Sequence, residues 1–191
     1  MAGGYVASGT LSISNTIIRQ AGGVAYAGSI GNILGNYNLF DLAVGTTVAG
    51  SSYSRLSDYQ HVYNREWHSV VLPSELADPA NLDFHPKSQN GRFVPGIGWT
   101  NDTVNSPAID MGCPSGSYEN EPQPNGNRLN VGNYGNSPEA TKSPTNAWLQ
   151  ILTLNDGGRL NAPGDTVYWN TGNIDSGATV RIEFSLDNGY S

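Results

Sequence analysis

Two apolar stretches, "LSISNTIIRQ" and "NYNLFDL", carry an asparagine in similar settings: Asn15 within SNTII and Asn38 within YNLFD, 23 residues apart. In the first stretch Leu11, Ile13 and Asn15 alternate with Ser12, Ser14 and Thr16 before Ile17 and Ile18 close the run. That is the two-residue period of a strand. A repeat near this length, one group of short strands per turn with asparagine at the corner, is how a parallel β-helix looks in sequence. Two physical readings of these asparagines stay open. In stacked turns a buried corner Asn would bond the backbone above and below it, satisfying polar groups that cannot reach water. Alternatively, each Asn simply tolerates the left-handed conformation in a turn.

Turn residues dominate the rest, with 24 Gly and 11 Pro but only 13% charged residues among 191, and sustained helical periodicity is scarce. The chain therefore reads as all-β, built from many short strands. Ile, Val, Leu and aromatics recur throughout, which suits a core and argues against disorder. A formal net charge of −7 argues against nucleic acid, whose phosphates require clustered Lys and Arg. Neutral or cationic partners, or metal ions, fit better. No stretch approaches the ~18 apolar residues of a membrane span. The opening "MAGGYVASGT" lacks the charged and apolar regions of a signal peptide. The one cysteine, Cys113, excludes an internal disulfide framework and reads as a small buried residue.

One segment, "SSYSRLSDYQHVYNREWHSVVL", breaks the strand pattern. Ser57 and Gln60 have capping-box spacing, and Tyr59, Val62, Tyr63, Glu66 and Trp67 follow at helical spacing. This predicts a helix from about Asp58 to Trp67 that lays an aromatic face on the strands. After the Ser/Pro/Thr-rich hinge "GNSPEATKSPTN", three strands are expected in "AWLQILTL", "DTVYWN" and "ATVRIEFSLDNG", the last with Val180, Ile182 and Phe184 on one face. They resemble the start of a β-sandwich, which needs about seven strands. The chain thus divides into 1–143 and 144–191, and the open strand edges predict a homo-oligomer.

The sequences "DFHPKSQNGRF", "WTNDTVNSPAIDMG" and "YENEPQPNGNRLNVGNYGNSPEATKS" resemble the closing segment of secreted bacterial right-handed parallel β-helix proteins, the pectate-lyase-like architecture. Asp83, His85 and Ser88 match its D-x-H-x-x-S, and Ser106 to Asp110 with Gly112 match S-P-A-I-D-x-G. Arg128, Asn130, Gly132, Tyr134 and Gly135 match R-x-N-x-G-x-Y-G. Residues 148–189 resemble the first half of an immunoglobulin-like module. The resemblance implies the end of a right-handed parallel β-helix with a short helical insertion, then a partial β-sandwich. It also implies a secreted or cell-surface location and a polysaccharide partner. Such proteins have many coils and this chain has one or two, so it reads as a fragment. The Asn/Gly-rich closing segment is expected to cover the open end of the stack. The motif is shared by proteins with different substrates, so it implies architecture rather than chemistry.

Candidate chemistry follows from residue types. His61, His68 and His85 lie beside Glu66 and Asp83, but zinc needs three or four converging ligands and the spacing matches no strong signature. No metal site is assigned, and His85 is expected to make a structural bond. Glycoside hydrolysis needs two carboxyls about 5–10 Å apart, one of them protonated. Glu119 and Glu121 share a face if extended, and Asp102 and Asp110 are expected to flank a strand. A polysaccharide lyase would instead need a base such as Lys87, Arg92 or Arg128, helped by calcium held through Asp, Asn and backbone oxygens. Flat rings stack on sugars, which makes Trp67, Trp99 and Tyr118, with Arg128, the substrate-binding candidates; Tyr53, Tyr59 and Tyr63 read as packing. Two functions compete: a polysaccharide-binding module, favoured by the shortage of coils, and a carbohydrate-active enzyme using Asp102, Asp110, Glu119, Glu121 or Arg92.

Overall fold

The alternation at Leu11–Ser14 forms a strand, and the same pattern recurs around it. The computed structural model describes residues 4–158 and 166–183, which are mostly strand with one short α-helix, as an all-β chain should be. Eight strands belong to the first part: β1 (Gly4–Val6), β2 (Leu11–Ser14), β3 (Ile17–Gln20), β4 (Val24–Gly28), β5 (Ile33–Asn36), β6 (Leu39–Leu42), β7 (Thr47–Ala49) and β8 (Val70–Val71). They make three short parallel sheets, β1-β4-β7, β2-β5 and β3-β6-β8. The register is shared: Gly4 pairs with Tyr26, Leu11 with Ile33 and Ile17 with Leu39, a step of 22 residues in each sheet.

That step corrects the expected alignment by one residue. Asn38 sits against Thr16, whose N–H donates to Asn38 Oδ1 at 3.1 Å, while the counterpart of Asn15 is Tyr37. Asn15 and Tyr37 are the corner residues, both left-handed, with φ of 55° and 58°. The two open readings of the asparagines are therefore divided between them. Asn15 turns the chain, and Asn38, fully buried, donates to Ile13 O at 3.0 Å.

Between the sheets lie Val6, Ile18, Ala25, Tyr26, Ile33, Phe40 and Val48, with Leu56 and Tyr59. Ile17, Leu39 and Val70 alternate to the opposite face of β3-β6-β8, where Ala108, Met111, Val131 and Leu152 pack on them. The closing segment therefore covers the flank of this sheet. Its backbone bonds the corner, with Gly132 N–H donating to Asn15 O at 3.0 Å and Cys113 N–H donating to Asn15 Oδ1 at 2.7 Å.

The helix α1 runs Leu56–Tyr63, shorter than expected. Asn64 adopts φ 53°, a left-handed C-cap that ends it before Glu66 and Trp67. Val62 faces solvent, and only Tyr59 and Tyr63 of the expected face pack, against Tyr53. No capping box forms. The N-cap residue is Arg55, and Ser57 Oγ is buried without a hydrogen-bond partner. The free N-terminal donor is met from far along the chain: Ser57 N–H donates to Asp156 Oδ2 at 2.9 Å.

Beyond β8 the pairing turns antiparallel: β9 (Leu76–Asp78) with β10 (Asp83–Pro86), β11 (Arg92–Val94) with β12 (Gly98–Thr100), and β13 (Trp148–Ile151) with β14 (Trp169–Gly172). No strand forms from residue 101 to 147. Asp102 and Asp110 therefore flank no strand, and Glu119 and Glu121 share no extended face. Of the third expected sandwich strand, residues 178–183 form no strand among the described residues, with Val180 and Ile182 exposed. The remainder, Phe184 included, lies outside the described residues.

Candidate functional site

The carboxylates proposed for catalysis occupy three different environments. Asp110 and Glu121 are interior, 3% and 4% exposed. Asp110, itself left-handed at φ 56°, accepts from Ser143 Oγ at 2.6 Å, and its N–H donates to Asn130 Oδ1 at 2.8 Å. Glu121 Oε1 accepts the N–H groups of Asn130 and Asn136 at 2.9 and 2.8 Å, while its Oε2 is buried and unbonded. Burial pushes the Asp110 carboxyl up to about 6, against the pull of Ser143 and Arg128. Burial also pushes Glu121 up to about 7, and the charge of Asp110 adds to the effect. Gly126, at φ 57°, closes over Asp110 so tightly that any Cβ there would meet the carboxyl. These two acids organise the closing segment from inside.

Asp102 is locked by Arg92, whose Nε and Nη2 donate to its two oxygens at 3.1 and 3.2 Å, and it accepts Ser88 N–H at 2.9 Å. Arg92 also faces Asp83 Oδ2 at 3.4 Å. Asp83 Oδ1 in turn accepts His85 Nδ1–H at 2.6 Å, and the His85 ring stacks on Tyr134 at 3.5 Å between centroids. Both Arg92 and His85 are thus committed to ion pairing and packing. Glu119 is exposed. Arg128 donates to Gly112 O at 2.7 Å and Asn170 Oδ1 at 3.0 Å, joining the closing segment to β14.

The histidines are separate in role. His61 Nδ1 lies 2.7 Å from Ser57 O, and His68 Nδ1 lies 3.1 Å from Asn36 Nδ2 with its ring stacked on Tyr37. Among the described residues no three His, Cys, Asp or Glu side chains converge on a metal-sized site. Cys113 is half-exposed rather than buried, and the Ser115 hydroxyl at 3.1 Å holds its thiol below the usual range. No helix among the described residues is long and apolar enough to cross a membrane.

The aromatic candidates fare unevenly. Trp99 is 41% exposed, but Lys142 Nζ sits 4.5 Å above its ring and Phe93 packs edge-on. Tyr118 is half-buried in the turn before Glu119. Trp67 stands at an open groove of about 310 Å³ lined by Ser12, Ser14, Asn36, Asn64 and Arg65. The floor is the outward face of β2-β5, because strand alternation turns Leu11 and Ile13 toward the core and leaves Ser12 and Ser14 exposed. The wall is preset: Trp67 Nε1–H donates to Asn64 Oδ1 at 2.8 Å, and Arg65 Nη1 donates to Gly31 O and Ile33 O at 2.6 and 2.7 Å.

Beneath this groove lies Glu66, which the sequence offered for chemistry only as a neighbour of the histidines weighed for a metal. Glu66 is fully buried and accepts from Tyr26 Oη at 2.6 Å, from Asn38 Nδ2 at 3.1 Å and from Ser69 Oγ. Burial raises its pKa, and the three donors oppose the shift. Its sequence neighbours gave one signal, the Arg65-Glu66-Trp67 run directly after a helix-ending Asn.

Compared with protein-family models, curated proteins and solved structures, the chain matches none.

Proposed function

We propose that this chain is part of an extracellular, carbohydrate-associated parallel β-helix protein, carries a partial β-sandwich after residue 143, and binds polysaccharide without cleaving it. The architecture is supported by the 22-residue step that the first strand pair of each of the three parallel sheets shares; the next step is 23 residues from β4 to β7 and 31 from β6 to β8, where α1 is inserted. The observation that carries the function is the Trp67 groove. An aromatic wall meets a floor of the Ser12 and Ser14 hydroxyls with the exposed Leu34 between the polar groups, and amides with a guanidinium complete it, on a sheet face. Sugars need that combination: apolar contact for ring C–H groups and positioned donors and acceptors for hydroxyls.

One observation favours the hydrolase alternative. Asp110 and Glu121 are carboxyls with raised pKa values, as a general acid requires. Their burial argues against it, since a catalytic acid must reach the glycosidic oxygen.

The test is retention on a panel of insoluble polysaccharides, with released products scored by mass spectrometry. Trp67→Ala should lower retention about tenfold, the equivalent of ~1.4 kcal/mol. Ser12→Glu, on the exposed floor, should do likewise without touching the core. Unchanged retention in both variants would remove the Trp67 groove as the binding site. Oligosaccharide products that vanish in Glu121→Gln would make the chain an enzyme.

A further inference from the structure

A second groove, of about 260 Å³, lies between the segment around residues 89–109 and strand β13, far in sequence from Trp67. Five side-chain amides line it: Gln89, Asn90, Asn105, Asn146 and Gln150, with Trp148 among them and no charged residue.

One wall is fixed by its own bonds. Asn105 Nδ2 donates to Gln89 Oε1 at 3.0 Å, Gln89 N–H donates to Asn105 Oδ1 at 2.9 Å, and Gln89 Nε2 donates to Thr103 O at 2.9 Å. Asn90 Nδ2 donates to Thr145 Oγ1 at 3.0 Å, which ties this wall to the start of the hairpin. On the opposite wall, the amides of Asn146 and Gln150 bond no other group among the described residues. The clasped wall holds its own donors and acceptors in place, which lowers its ordering cost on binding, and the two unengaged amides opposite are open to a ligand.

The lining defines the ligand class. Each amide presents an acceptor beside a donor, the pattern that neighbouring hydroxyls on a sugar ring complement. The half-buried Trp148 ring offers apolar contact to the ring's C–H face. A uronate or phosphate would call for Arg or Lys in the lining, and the groove has neither.

We propose that this groove is a second carbohydrate site, specific for uncharged sugar units. It shares the carbohydrate reading above but rests on different residues, so the two can fail separately. The test is titration of the whole chain with uncharged gluco- and manno-oligosaccharides of about six units and with oligogalacturonates. Binding is read by calorimetry and by NMR of the Asn and Gln side-chain amides. One or more uncharged oligosaccharides should shift the Asn146 and Gln150 amides, and the double variant Asn146→Ala/Gln150→Ala should weaken that binding about tenfold. Both positions are at the surface of the groove, so the fold should be kept. Trp67→Ala should leave these shifts in place. The proposal is overturned if no uncharged oligosaccharide moves these amides up to ~20 mM, a range that covers weak single-site affinities. It also falls if the double variant binds like the unaltered chain, or if oligogalacturonates bind as well. Loss of polysaccharide retention in Trp67→Ala with silent Asn146 and Gln150 amides would sink this site alone; the reverse pattern would sink only the first.

Discussion

Tyr26 donates its hydroxyl to Glu66 Oε1 at 2.6 Å, joining β4 to the turn between α1 and β8, 40 positions apart. Among the described residues no cation pairs with the carboxylate; Tyr26, Asn38 and Ser69 supply its hydrogen bonds. Removing the acceptor would leave three buried donors unpaired, at about 1–3 kcal/mol each before relaxation. Glu66→Ala should therefore destabilise by about 3–5 kcal/mol, and Glu66→Gln, which keeps one acceptor oxygen, by less. Gly35→Ala should resemble Glu66→Ala, because a Cβ there would land within the Glu66 carboxyl. Urea unfolding decides it. A loss under 1 kcal/mol for both alanine variants would mean the network is peripheral to stability.

Asp110 and Glu121 give the protein a pH dependence with a definite sign. Their folded values, about 6 and about 7, lie above the ordinary 3.8 and 4.5, so the folded chain holds protons that the unfolded chain releases. Their contribution is complete below the ordinary values and is lost as pH rises through the folded ones. The thermal midpoint should fall by about 5–10 °C between pH 5 and pH 7.5 at fixed ionic strength. Glu121→Gln keeps an oxygen for the Asn130 and Asn136 N–H groups while removing the titration, so its profile should be flatter. An equally steep slope in that variant would assign the effect to net charge instead.

What the sequence made legible was local. Leu11 to Ser14 announced a strand because alternation is a property of adjacent residues, and the repeat of Asn15 and Asn38 announced stacking. It missed the register by one, because similar sequence contexts place those two asparagines at neighbouring positions of the corner. The helix was legible but its ends were not. Glu66 and Trp67 continue the helical spacing, and the left-handed Asn64 and Glu66 divert them, one side chain into the core and one to the groove. Likewise, the sequence marked Asp110 and Glu121 as candidate carboxylates but not as interior ones. Their burial comes from Asn130, Asn136 and Ser143 folding around them, a tertiary effect that spacing does not encode.

The distant cap on α1 is testable in the same spirit. Asp156 places a carboxylate at the positive end of the helix and satisfies Ser57 N–H. Asp156→Ala should cost about 1 kcal/mol, the usual worth of a cap, and Asp156→Asn about half that. Amide exchange at Ser57 should accelerate in step. If exchange there is unchanged, the helix and the segment that follows Leu152 are not coupled.

The hairpin β13-β14 bears on the expected homo-oligomer. Ile151 pairs with Trp169 and Leu149 with Thr171, so Leu149, Ile151 and Trp169 share one face, and all three are exposed. Two strands alone leave such a face without a covering layer, and a second copy of the hairpin would bury it. Sedimentation should show concentration-dependent dimerisation that Ile151→Lys abolishes, since a charge at the centre of the paired face would have to be desolvated. Trp169 fluorescence should shift to shorter wavelength as the dimer forms. A monomer at every concentration, with Trp169 emission unmoved, would mean that this face does not mediate self-association.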